Sequence, residues 1–279
     1  MKQISGESKT LAAKVGISYS PDGKLFYSKK TGEEVNLFSM NEDGGGEKQL
    51  TSGVRYNYEA TAVPDGKYVV FSSNRNGFFN LWRIDADGKN PVQLTNFQNG
   101  ADSQIDITPD GRTVLFTRHS SDHGKSVVMK VSVDGSGGEA VPLLPETQSS
   151  ALMPRVSPDG KYLAYQAFHY DKEKAQFDST VNIAALDENQ KDKAAKQIEF
   201  GLHFPVEWTT DGKSLTYVNS SGVDNIWTLS VKNKKEKPLT KFNSGNITSF
   251  VWSNDGKKLF IVRGIYNSDL VLIKDRTKA

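Results

Sequence analysis

All four histidines of this 279-residue chain lie between residues 119 and 203. Imidazole beside a carboxylate is the side-chain chemistry that holds a divalent metal or moves a proton. His119 and His123 flank Asp122, His169 precedes Asp171, and His203 stands ahead of "FPVEW". Brought together by neighbouring loops, the four could ligate zinc, manganese or nickel; spread over solvated loops, they would be independent surface histidines. No compact ligand motif, such as two histidines one helical turn apart, decides between these readings. Apart from such a metal, no cofactor is expected. Cysteine is absent, which excludes thiol nucleophiles, disulfides and cysteine-ligated zinc. A serine nucleophile has little support, because "GISYS" at 16–20 fails the Gly-x-Ser-x-Gly pattern. The chain is therefore expected not to be an enzyme, with metal-dependent lyase or hydrolase chemistry at the histidines as the alternative.

A second set of polar side chains shares a spacing. Ser18, Thr61, Asp106, Arg155, Glu207 and Val251 each stand four residues before an Asp-Gly pair. If those segments line a common channel, Asp106, Arg155 and Glu207 are near-neighbours on its wall. They could grip a charged ligand or a peptide terminus, or simply neutralise one another as an ion network. A third set is aromatic and basic: Arg55, Tyr56 and Tyr58; Arg75, Phe78 and Phe79; His169, Tyr170 and Phe177; Arg263 and Tyr266. Aromatic and arginine side chains are the usual anchors of interfaces. The residues expected to bind a ligand or partner are accordingly Asp106, Arg155, Glu207, Tyr58, Arg75, Phe78, His169, Tyr170, His203, Arg263 and Tyr266.

Something must position these sets, and the Asp-Gly pairs supply it. They occur at Asp22, Asp65, Asp110, Asp159, Asp211 and Asp255, at intervals of 43, 45, 49, 52 and 44 residues. Each is followed by a basic residue and an apolar run, as in "KLFYS", "KYVVFSS" and "RTVLFTR". Proline before the aspartate presets φ, aspartate bonds back to nearby amides, and glycine takes the left-handed conformation, so each copy reads as strand, tight turn, strand. A third run ("VNLFSM", "FNLWRI", "DNIWTL") and usually a short fourth ("KQLT", "VQLT", "KPLT") complete each copy. Four antiparallel strands in about 45 residues make one propeller blade, which cannot bury both faces without neighbours. The fold expected is all-β: one domain over 1–279, a six-bladed β-propeller of four-stranded antiparallel blades. The last copy has only three strands, and "KQIS" at 2–5 is close to "KQLT" at 48–51. Lys2–Ser5 is thus expected to complete the last blade and close the ring, removing an open sheet edge.

Composition narrows the partners. With 35 basic and 33 acidic residues interspersed, the net charge is only +2, too small a field to draw nucleic acid or an anionic membrane. No stretch approaches the roughly 20 apolar residues that cross a bilayer, and direct membrane insertion is not expected. As an isolated domain the chain is expected to be a monomer that takes a protein, a peptide or a small ligand at the channel mouth.

The repeated "SPDGK" followed by an apolar run, with Trp208 and Trp252 just before the turn, resembles the TolB-like propeller repeat over essentially the whole chain. More narrowly, "FVWSNDGKKLFIVRGIYNSDLVLIKD" at 250–275 is similar to the end of propellers fused to bacterial serine/threonine kinases and winged-helix regulators. That resemblance implies a binding or sensing module of a larger bacterial signalling protein, in an extracytoplasmic or periplasmic setting. No Gly-rich phosphate loop, His-Arg-Asp or Asp-Phe-Gly motif of a kinase is present in the chain itself.

Overall fold

The computed structural model describes residues 16–122, 124–144, 150–171, 176–186, 196–198 and 205–264. They form strands only, in chain order. The first sheet comprises β1 (Ile17–Tyr19), β2 (Lys24–Thr31), β3 (Glu34–Asn41) and β4 (Lys48–Gln49). The second comprises β5 (Asn57–Ala62), β6 (Tyr68–Ser73), β7 (Asn80–Asp85) and β8 (Val92–Gln93). β9 (Gly100–Ile107), β10 (Thr113–Ser120), β11 (Ser126–Ser132) and β12 (Val141–Pro142) form the third, and β13 (Ser150–Val156), β14 (Tyr162–Asp171), β15 (Gln176–Ala185) and β16 (Lys196–Ile198) the fourth. The fifth has β17 (Val206–Trp208), β18 (Ser214–Asn219), β19 (Asn225–Ser230) and β20 (Glu236–Pro238); β21 (Asn246–Trp252) and β22 (Leu259–Gly264) pair alone. Every sheet is an antiparallel meander in sequence order, as a tight turn between successive strands requires.

The expectation of six four-stranded blades is corrected to five, followed by a two-stranded sheet. The segments that would extend this last sheet, 268–273 and Lys2–Ser5, lie outside the described residues, so strand closure of the ring lies outside them too. What the described residues do show is contact between the two ends of the repeat. Tyr19 of β1 stacks on Phe260 of β22 with ring centroids 5.2 Å apart, and Lys258 reaches Glu42 at 2.6 Å. Ile17 and Tyr19 join Leu25 and Tyr27 in a cluster with Val251, Phe260 and Val262. Separate apolar clusters likewise join each sheet to the next, for example Phe26 and Leu37 with Val69 and Phe71, or Val218 and Ile226 with Ile247 and Phe250. The core therefore sits between sheets, and burial of both faces is what binds the repeats to one another.

Two local devices recur. In the turn, the hydroxyl of Ser20, Thr108, Ser157, Thr209 or Ser253 donates to the aspartate two residues on, at 2.5–2.7 Å. In the last four of these turns the same carboxylate accepts the amide two residues beyond it, while the glycine sits at φ of 66–80° in all five. These contacts hold Asp110, Asp159, Asp211 and Asp255 below the usual carboxylate range, chiefly through the hydroxyl bond. The second device is an Asn–Thr clasp fifteen residues apart. Thr51, Thr95 and Thr240 hydroxyls accept the amides of Leu37, Leu81 and Ile226 at 2.8–2.9 Å and donate to Asn36, Asn80 and Asn225 at 3.0–3.3 Å. This fastens the short outer strand to the start of the third. Thr95→Val keeps the shape but leaves the buried Leu81 amide without its acceptor, and is expected to cost about 1–3 kcal/mol, read as a lower urea midpoint at unchanged m-value.

Candidate binding site in the channel and at its rim

The first strands β5, β9 and β13 carry Thr61, Asp106 and Arg155, and each is interrupted at the same place. Their pairing slips between Tyr58 and Thr61, between Ser103 and Asp106, and between Leu152 and Arg155. At each slip a non-glycine residue adopts positive φ: Glu59 at 61°, Gln104 at 58° and Met153 at 51°. Such conformations cost energy and persist only when surrounding contacts hold them. Here the contacts run from blade to blade. Glu59 accepts the Gln104 amide at 2.5 Å, and the Gln104 side chain accepts the Met153 amide at 3.1 Å. Two residues further along, Ser18 accepts the Ala62 amide at 3.0 Å and Asp106 accepts the Val156 amide at 2.6 Å. Side chains thus stitch neighbouring first strands to one another.

Arg155 and Glu207, both mostly buried, meet at 2.7 Å through the Arg155 Nε, and one Nη of Arg155 donates to the Pro154 carbonyl at 2.7 Å. Trp208 supports the arginine's backbone, its indole N–H donating to the Arg155 carbonyl at 2.9 Å. Asp106 feels the charges of both residues. Its carboxyl is pushed up to about 6, mainly by burial and also by the Glu207 charge, against the attraction of Arg155 and the Val156 amide. Arg155 is held further toward its charged form by Glu207 and Asp106 despite its burial. Glu207, Asp106 and Glu59 all act on this one guanidinium; Glu207 holds its ion pair, and Asp106 is left short of positive charge.

The rim over the second blade carries the aromatic and basic set. Tyr56 and Tyr58 stack at 5.7 Å, and Phe79 tilts against both at 6.3 and 5.9 Å. Parallel bridges Val35 with Tyr56 and Phe79 with Ala101 tie this cluster to the sheets on either side. Phe78 is 44% exposed beside it. The next sheet begins at Gly100, whose φ is +145°; a Cβ there would lie 1.8 Å from the His119 carbonyl oxygen, so only glycine fits. Arg263, on β22, rests over Phe242 at 3.9 Å and donates to the Ser244 carbonyl.

Of the histidine set, only His119 has a described side chain. His119 is hydrogen-bonded through Nδ1 to Ser126 at 2.8 Å and through Nε2 to Ser103 at 3.2 Å, a clamp across three strands of one sheet. His123, His203 and Tyr266 lie outside the described residues. His169 and Tyr170 fall within β14 (Tyr162–Asp171), paired with Asp178 and Phe177 of β15. Among the described residues no group of three or more histidines or carboxylates could hold a metal ion. The bridging side chains Glu59 and Gln104 are absent from the sequence-based site; the only signal in the sequence is their common position, six residues before the turn aspartate.

Five antiparallel four-stranded blades with side chains stitched from one to the next define an all-β propeller. Within that class, the chain belongs to the Tricorn protease N-terminal beta propeller domain family, whose pattern matches residues 33–264. It is 32% identical over 154 residues to an uncharacterized protein of Agrobacterium fabrum, covering 53% of this chain and 52% of that one. It is 30% identical over 115 residues to dipeptidyl-peptidase 5 of Porphyromonas endodontalis, covering 39% of this chain and 16% of the peptidase. TolB from Acinetobacter baumannii superposes with a TM-score of 0.64 at 18% identity, over 79% of this chain and 52% of that one. The chain thus spans about half the length of the first of these relatives and a small part of the second. The expectation that the chain is not an enzyme is overturned by this finding, since its family and a relative at 30% identity carry the names of peptidases.

Proposed function

We propose that the propeller recognises peptides in its channel, taking a cationic group, the α-ammonium of the peptide, at Asp106 and Glu207. The observation that carries this reading is the charge count at that wall: Arg155 is committed to Glu207, while Asp106 holds a backbone amide and is short of a counter-cation. An ammonium placed there satisfies Asp106 without disturbing the Arg155–Glu207 pair. The peptidase names of the family and of one relative fit a peptide as the ligand class. The blade-to-blade stitching makes the wall rigid, so that little ordering is lost on binding.

Calorimetric titration with a Ser-Gly hexapeptide and its N-acetylated form tests this. At pH 7.5 the free amine is expected to bind at least about ten-fold more tightly, the worth of one charge-assisted hydrogen bond. Asp106→Asn should shrink that difference. Lowering the pH through 6 should weaken the free peptide and leave the acetylated one alone, because protonated Asp106 no longer attracts an ammonium. Equal affinity of the two peptides would end the proposal.

A further inference from the structure

One turn of the propeller carries a charge that the fold does not require. In an antiparallel meander the turn between the third and fourth strands lies at the same end of the sheet as the Asp-Gly turn between the first and second. In the first three sheets it is acidic: Glu42, Asp43 and Glu47 follow β3, Asp87 follows β7, and Asp134 and Glu139 follow β11, with Lys89 the one basic residue among them. In the fifth, between β19 and β20, it reads "VKNKK" and holds Lys232, Lys234 and Lys235 with no carboxylate. The Val231 amide donates to the Lys213 carbonyl at 3.1 Å, which brings Lys213 of the Asp-Gly turn beside this hairpin. Lys237 follows on β20, opposite Thr228.

All five lysines are exposed, and among the described residues none forms an ion pair. Arg75, by contrast, is covered: it lies over Trp82 at 4.5 Å and Phe71 at 5.1 Å and donates to Ser73 and Asn57. Two carboxylates share the lysine corner, and both are engaged. Asp211 accepts the Thr209 hydroxyl at 2.7 Å and the Lys213 amide at 3.0 Å, and Glu236 is hydrogen-bonded to Tyr217. Lys234 carries its charge at some cost to the backbone. Its amide donates to the Ser230 carbonyl at 2.9 Å, as Gly44 does to Asn41 and Gly88 to Asp85 in the first two sheets. Those glycines take φ of 93° and 94°; Lys234 takes 56°, a left-handed conformation that is unfavourable for a residue with a Cβ. On the outer strand β20, Lys237 and Pro238 blunt a sheet edge. Lys232, Lys234 and Lys235 stand in a turn, where there is no strand edge to guard.

The side-chain types select the partner. No arginine or aromatic residue occurs between 231 and 241, so the hairpin has neither the planar fork that reads phosphates and base edges nor rings on which bases stack. Lysine ammoniums are flexible point charges that suit a diffuse anionic surface. Leu239, two residues beyond Lys237, is 45% exposed and adds an apolar side chain. A hairpin tip has no groove for a peptide, whereas a bilayer surface can meet all of its ammoniums at once.

We infer that the β19–β20 hairpin docks the propeller on an anionic lipid bilayer, with Lys213, Lys232, Lys234, Lys235 and Lys237 among the headgroups. The small net charge of the chain is a sum, and a membrane meets only the local field, because exposed charges more than about 10 Å apart are largely screened. The acidic turns at the same end of the first three sheets are repelled by such a surface, which confines the contact to the fifth.

Sedimentation of the whole chain with vesicles tests this, comparing phosphatidylcholine alone with a mixture containing about one third phosphatidylglycerol. Binding is expected only to the anionic vesicles, falling steeply between about 0.05 and 0.5 M salt. Lys232→Gln, Lys234→Gln and Lys235→Gln together should weaken it about 100-fold, roughly five-fold for each lysine. Lys24→Gln, Lys67→Gln and Lys89→Gln together remove the same charge from the first two sheets, where each lysine faces its own aspartate, and should leave binding nearly unchanged. Lys234→Gly alone should bind about five-fold more weakly yet melt no earlier than the wild type, since glycine accepts that φ freely; its loss of binding is then not a loss of fold. Equal loss in the two triple variants, or no preference for the anionic vesicles, would overturn the inference. Binding to soluble polyglutamate with none to the anionic vesicles would overturn it too, in favour of an acidic protein partner.

Discussion

Asp102→Ala is expected to lower stability by about 3–5 kcal/mol, the range for stranding one partner of a buried ion pair. Asp102 is fully buried at the start of β9, and both its oxygens accept from Arg118, Nε and Nη2 each at 2.8 Å. Arg118 is in turn layered over Phe97 at 4.3 Å and Phe116 at 5.6 Å, so its charge cannot swing out into water without uncovering those rings. The backbone of Asp102 adds a join between blades: its amide donates to Phe79 at 2.9 Å and its carbonyl accepts the Ser72 hydroxyl at 2.6 Å. Chemical denaturation of Asp102→Ala, of Arg118→Met, and of Asp102→Leu combined with Arg118→Met separates charge from shape. The single variants should each be strongly destabilised, and the double variant should regain much of the loss, because two apolar groups leave no stranded charge. Equal or additive loss in the double variant would mean that the pair is worth more than its desolvation costs.

What the sequence made readable follows the distance over which each contact acts. The turns were legible because Pro-Asp-Gly sets its own backbone within four residues, and Val63, which lacks the hydroxyl of Ser20 or Thr108, still precedes a glycine at φ of 73°. The Asn–Thr clasp was present as "VNLFSM…KQLT", "FNLWRI…VQLT" and "DNIWTL…KPLT". It escapes a reading by strand pattern because its two residues are fifteen apart and each is ordinary alone. The bulges in β5, β9 and β13 left only a shared position, six residues before the turn aspartate: Glu59, Gln104 and Met153 have no residue type in common, and the neighbouring blade's amide explains why Glu59 and Gln104 sit where they do. The wall residues Arg155 and Glu207 could be placed because a fixed count from the turn survives the bulge, which lies upstream of them. The histidines could not, because only His119 among them falls where its side chain is described, and there it holds two serines.

For Asp106 the expected result is a gain: Asp106→Asn should be more stable than the wild type above pH 7. The folded protein holds the Asp106 carboxyl at about 6, against 3.8 ordinarily, so the folded state binds its proton more tightly than the unfolded chain does. Stability from this group is full below pH 3.8 and is lost as the pH rises through 6. At 1.36 kcal/mol per unit the loss is at most about 3 kcal/mol, and Arg155 and Glu207 titrating with it reduce that figure. Asparagine mimics the protonated acid and keeps an oxygen for the Val156 amide, so the variant should match the wild type near pH 4 and exceed it by about 1–3 kcal/mol at pH 8. The turn aspartates act in the opposite sense, their depressed carboxyls losing stability only on acidification, which confines the Asp106 effect to the window between pH 4 and 7. Urea unfolding of both proteins across that window measures the difference directly. Parallel curves would place Asp106 in ordinary solvent contact and remove the charge deficit on which peptide recognition at this wall depends. Diverging curves would instead show a site that holds instability in reserve, which an ammonium ligand relieves by supplying the missing positive charge.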